Sequence, residues 1–134
     1  HSDFDKCMRY TRADGIMVAE GCLYNPYIFE NRDISAFEAA LEYIDYAKMY
    51  SARAHSWRCH LFKILFHVFN VFPEYREKLG AIKDLESAES LVRKLFLARE
   101  CHKNMTSNST DLPYWMCKPY VRKIHSILNI GAPK

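Results

Sequence analysis

The sequence predicts a mainly α protein, a helical bundle preceded by one helix–strand unit. Three observations carry this. From residue 35 onward apolar residues recur at helical spacing, with only turn signals between the runs. Ahead of them stands one short apolar run, Ile16-Met17-Val18-Ala19, with Glu20-Gly21 at its carboxyl end, which has the length and composition of a buried strand. The chain has 134 residues, 49% of them hydrophobic and 14% aromatic, enough to bury one core. A strand buried on both faces needs partners at each side and covering helices, and no second convincing strand is present in the sequence.

The elements follow in order. "HSDFDKCMRYTRADG" predicts a short helix: Ser2 caps it, Asp3 and Asp5 favour its positive end, and Phe4, Cys7, Met8 and Thr11 form its inward stripe. Ala13-Asp14-Gly15 then turns the chain into the strand, and Asn25-Pro26 interrupts the amphipathic stretch after it. Ser35 and Glu38 have the spacing of a capping box, opening a helix to about Ala54 with Phe37, Leu41, Ile44 and Ala47 inward. A second helix places Leu61, Leu65, Val68 and Phe72 on one side. Pro73 ends it or opens the next helix, "PEYREKLG", which Gly80 closes. Ser87 starts another, with Ala88, Leu91, Leu95 and Ala98 inward, and "NMTSNSTD" follows as an exposed loop. A last helix is expected over residues 119–130, with Tyr120, Ile124, Ile127 and Leu128 as its apolar side.

Composition narrows the functional classes. There is no run of 18 apolar residues and no apolar stretch at the amino end, so the expectation is a soluble, intracellular chain with no membrane partner. Five widely spaced cysteines without a Cys-x-x-Cys pair argue against a disulfide framework and predict reduced, mostly buried thiols. Charge is distributed unevenly. Residues 1–45 hold four Lys/Arg against nine Asp/Glu, a net of −5, whereas residues 46–134 hold fifteen against seven, a net of +8. The later region suits a polyanion, although a solvated basic surface explains the same numbers.

The most informative run is "RAHSWRCHLFKILFHVFN". As a helix it aligns Arg53, Ser56, His60, Lys63, His67 and Asn70 on one stripe, nearly opposite the apolar side. No carboxylate occurs between Asp45 and Glu74, whereas an ordinary solvated face mixes signs. Such a stripe suits phosphate contacts that weaken with salt. Lys118, Arg122 and Lys123 form a second basic cluster beside Tyr114, Trp115 and Tyr120, where Trp115 is read as packing. Cys59-His60 and Cys101-His102 match no zinc spacing, and neither has the orienting acid of a Cys-His nucleophile, so no metal and no catalytic residue is assigned.

"ADGIMVAEGCLYNPYIF" closely resembles the last barrel strand and following turn of tRNA-dihydrouridine synthases, and "HLFKILFHVF", "YREKL" and "LPYWMCKPYVR" are similar to the eukaryotic branch that modifies D-loop uridines. The resemblance implies that residues 1–31 are the last αβ unit of a flavin-binding (β/α)8 barrel and residues 32–134 the helical domain that holds tRNA. It further implies a carboxyl-terminal piece of a cytoplasmic, or also nuclear, enzyme in which NADPH reduces FMN and the flavin reduces the C5=C6 bond of uridine. The catalytic cysteine of the family has no match here. Backbone N–H groups of Ala19, Glu20 and Gly21 stand where the family brings main chain to the FMN phosphate, although many relatives have arginine in place of Glu20; no flavin binding by this chain alone is expected. The RNA-contacting residues on this reading are Arg53, His60, Lys63 and His67, then Arg76, Lys118, Arg122 and Lys123. Two other readings stay open: a helical protein-interaction domain whose basic surface has no nucleic-acid role, and a self-contained enzyme using a Cys-His pair.

Overall fold

The architecture was obtained as a computed structural model, which describes residues 2–30, 32–102 and 112–120. The loop expected at residues 104–111, most of the helix expected at 119–130, and Arg122 and Lys123 lie outside the described residues. Among the described residues seven helices follow in order: α1 (Ser2–Thr11), α2 (Glu20–Tyr24), α3 (Ala36–Met49), α4 (Ala54–Ile64), α5 (Phe66–Phe69), α6 (Pro73–Ala81) and α7 (Leu85–His102).

The bundle forms where local signals and apolar stripes agree. Ser35 caps α3, its hydroxyl accepting from the Phe37 N–H at 3.3 Å. That helix stops at Met49, earlier than expected, because Ser51 takes a left-handed φ of 50° and Ala52 N–H donates back to Ala47 carbonyl at 2.8 Å. Pro73 opens α6, where its missing N–H costs nothing. The cap of α7 is Asp84 and not Ser87: the Asp84 carboxylate accepts from Ser87 N–H at 2.7 Å, which also holds that carboxyl below its usual range. The expected second helix divides at Leu65 into α4 and α5. Its apolar side still faces one core, with Leu61, Leu65 and Val68 fully buried against Ile44, Leu79, Val92 and Leu95. Trp57 is also sealed in this core.

Residues 112–118 close the bundle's end. Ala36 N–H donates to the Trp115 carbonyl at 2.8 Å and Cys117 N–H to the Ile34 carbonyl at 2.9 Å, around an isolated bridge between Ser35 and Met116. Arg99 lies 4.4 Å from the Trp115 ring centre, so Trp115 packs as expected.

The strand expected at Ile16–Ala19 is not formed; among the described residues there is no strand at all. A strand is stabilised by exchanging N–H···O bonds with a neighbour, and residues 16–19 exchange none with another described segment. Met17 is 95% exposed as a result. The expectation of mostly buried thiols is also corrected: all five cysteines are free, but Cys7, Cys59 and Cys101 are exposed, Cys22 is half-buried and only Cys117 is buried. Burial, with Glu38 adding to it, pushes the Cys117 thiol up to about 12. No described helix is long and apolar enough to cross a membrane.

Candidate nucleic-acid interface

The expected basic stripe starts at the N-cap of α4 and runs on to α5, and it is covered unevenly along its length. Arg53 stands at the N-cap position, exposed, with extended backbone and no side-chain cap. Ser56 is exposed one turn later. His60 is half-buried, its ring centred 5.3 Å from Tyr43 of α3. Burial, and then Cys59, raises the Tyr43 pKa above its ordinary value, so this hydroxyl remains a neutral donor. Lys63 lies half-buried under α2, donating to the Tyr24 hydroxyl at 3.1 Å with its ammonium 4.9 Å from that ring's centre.

His67 is the least available. Tyr120 stacks on Tyr24 at 5.5 Å and meets Phe66 edge-on at 5.1 Å, so residues 118–120 lie across this end of the stripe. The imidazole Nε2 is buried without a partner. Burial, with Lys118 nearby, lowers the His67 pKa, against the opposing pull of hydrogen bonds to the Pro119 and Lys118 backbone. The expectation that His67 projects beside Arg53 as a phosphate contact is therefore corrected: it is a neutral side chain beneath a strap. Hydropathy alone put it on the polar face, and the strap that covers it is fifty residues away in sequence.

The outlying cations are placed as follows. Arg76 is exposed on α6, with its guanidinium 5.9 Å from the Phe62 ring centre. Lys118 is half-buried and donates to the Leu112 carbonyl at 2.9 Å, which tethers the strap. Arg58, on α4 outside the expected stripe, is held inward by the Ile82 carbonyl at 2.7 Å. Of the expected contacts among the described residues, Arg53 and Arg76 are exposed, whereas His60, Lys63 and Lys118 are half-buried; Arg76, beside Phe62, lies on a different flank of α4 from Arg53.

Ala19 is the N-cap residue of the five-residue α2, and Glu20 and Gly21 open it. No side chain caps this helix, and Glu20 sets a carboxylate among its first N–H groups. Glycine at position 21 has a packing reason: an added Cβ would lie 2.8 Å from Ile28 Cδ1 and 3.0 Å from Val18 Cγ1. Cys59 lies 3.8 Å from His55 Nε2, one turn away and not from its sequence neighbour His60. No group of three or more metal-ligating side chains occurs among the described residues.

With this geometry in view, the sequence profile of the family described as dihydrouridine synthase (Dus) matches residues 1–107. The chain belongs to the dihydrouridine synthase family. Two relatives named "tRNA-dihydrouridine(16/17) synthase [NAD(P)(+)]-like" are each 34% identical over 128 residues and 90% of this chain: one from Mus musculus, of which it covers 26%, and one from Rattus norvegicus, of which it covers 29%. The tRNA-dihydrouridine(16/17) synthase [NAD(P)(+)] of Schizosaccharomyces pombe is 25% identical over 154 residues, 91% of this chain and 38% of that protein. The chain therefore spans between a quarter and two fifths of the length of these relatives. No solved structure matches.

Proposed function

We propose that this chain is the tRNA-holding helical region of a dihydrouridine synthase, residues 32–134 forming that region and residues 1–31 belonging with a catalytic barrel. On this reading the whole enzyme reduces the C5=C6 bond of a D-loop uridine with FMN and NADPH. The observation that carries the proposal is the acid-free stretch between Asp45 and Glu74, folded so that Arg53, His60 and Lys63 share one side of α4 over about 15 Å, in a chain of this family. Cations on a helix flank neutralise backbone phosphates and release counterions, which gives affinity and register without reading bases. The chain's own role is to position RNA; the reduction itself uses residues that this chain does not supply.

The test is tRNA binding by the Arg53→Glu/Lys63→Glu double variant as a function of salt. Binding should weaken, and the slope of log affinity against log salt should flatten by about one for each phosphate contact removed. An unchanged slope would overturn the assignment. One observation favours protein interaction instead: an apolar groove of about 470 Å³ between α3 and α7, where Phe96 is 39% and Leu97 64% exposed. Failure of the unmodified chain to shift tRNA at low salt would transfer the case to that groove.

A further inference from the structure

Tyr43, Tyr46 and Tyr50 recur at i, i+3 and i+7 towards the end of α3, so their side chains leave the helix within an arc of about 60°. Ala36 and Ala39 precede them on the same side, both 2% exposed. The ridge thus changes from small and sealed to large and open as it leaves the core: Tyr43 is half-buried, Tyr46 is 51% exposed and Tyr50 76%. Packing accounts for Tyr43, whereas the Tyr46 and Tyr50 rings stand largely open, with no ring contact or side-chain hydrogen bond among the described residues.

Their neighbourhood shows what they suit. The sharp turn at Ser51 sends α4 back along α3, which puts Tyr50 three residues from Arg53 at one end and the Tyr43 ring against His60 at the other. The tyrosine ridge and the cationic stripe therefore lie side by side. The ridge carries no free cation of its own, because Lys48 is drawn to Glu89 at 2.6 Å, and the exposed Glu42 lies one turn before Tyr46. Phosphate is disfavoured there, whereas the open π faces of two tyrosines match the flat, neutral faces of nucleobases.

We propose that Tyr46 and Tyr50 stack unpaired bases of an RNA loop whose backbone follows Arg53, His60 and Lys63, so that the chain prefers looped RNA to plain duplex. The inference rests on the RNA-binding role above and adds the chemical class of nucleotide recognised. Bases held in an A-form stem present no free face, so only splayed or looped nucleotides reach such a ridge.

The test measures binding of the 134-residue chain to a hairpin with an unpaired loop and to the same stem as a blunt duplex. The expected result is preference for the hairpin, with Tyr46→Ala and Tyr50→Ala each weakening hairpin binding by about fivefold to a hundredfold. Duplex affinity and the salt slope should stay unchanged, and Tyr46→Phe/Tyr50→Phe should bind as the unmodified chain does, because a phenyl ring keeps the stack. A thermal melt of the alanine pair confirms folding. If the alanine pair binds the hairpin normally while Arg53→Glu weakens it, the ridge proposal falls and the phosphate reading stands. Failure of the unmodified chain to bind either RNA overturns both. Loss of self-association in the alanine pair without loss of RNA binding makes the ridge a protein contact and also overturns the proposal.

Discussion

α1 and α3 show the same kind of amphipathic pattern in sequence and have opposite fates in the structure. In α3 the stripe is covered, with Phe37, Ile44 and Ala47 buried to 4% exposure or less and Leu41 half-buried against the same core. In α1 the corresponding stripe is open: Cys7, Met8 and Thr11 are exposed, and only Phe4 gains partial cover, from Phe29 at 5.5 Å. The segment after it continues the contrast, with Met17 at 95% exposure. Periodicity states which side of a helix favours cover; it does not supply the partner.

The largest test of this contrast compares one core leucine with the open methionine. Leu61→Ala should lower unfolding free energy by about 2–5 kcal/mol, because the cavity adds to the lost transfer term, whereas Met17→Ala should stay within about 0.5 kcal/mol. Urea midpoints with unchanged slopes measure both. A comparable cost at Met17 would mean that residues 12–19 are covered in solution.

A smaller effect separates two glycines. Gly21→Ala forces a methyl against Ile28 and Val18 and should cost about 1–3 kcal/mol, less if Ile28 rotates away. Gly80→Ala, in α6, meets only Phe62 at 3.9 Å and should stabilise by about 0.5–1 kcal/mol through helix propensity. Thermal melts of the two variants should move in opposite directions. A neutral Gly21→Ala would show that α2 is not held against residues 18 and 28.

Within the bundle, nearly all the inward residues were legible from spacing: Leu61, Leu65, Val68, Phe72, Ala88, Leu91 and Leu95 are all buried as that spacing requires. The misses have definite causes. The Ile16–Ala19 run has strand composition, but pairing is a long-range property and its partner is not in this chain's described residues. Asp84 and Ser87 both suit a cap in sequence, and only backbone geometry chooses Asp84. The cationic side of α4 was legible as a pattern. Its roof was not, because Tyr24 and Tyr120 converge on Lys63 and His67 from both ends of the sequence.

That roof gives the smallest and most local prediction, a pH dependence at His67. Burial, with Lys118 beside it, places the folded-state pKa below the ordinary 6.5, so the unfolded chain binds the proton more readily. Stability contributed by this residue should therefore rise with pH from the lowered folded value up to about 6.5 and be flat above it; acidification through that window favours unfolding. His67→Gln retains a polar side chain that does not titrate there. The difference in urea midpoint between the parent chain and His67→Gln should shift against the parent as pH falls below about 6.5, while slopes from groups common to both, such as Asp84 and Glu89 with their lowered pKa values, cancel at lower pH. The effect is modest because water still reaches part of the ring. A pH-independent difference would mean that residues 118–120 do not lie over His67 in solution, and this end of the stripe would then be as open as Arg53.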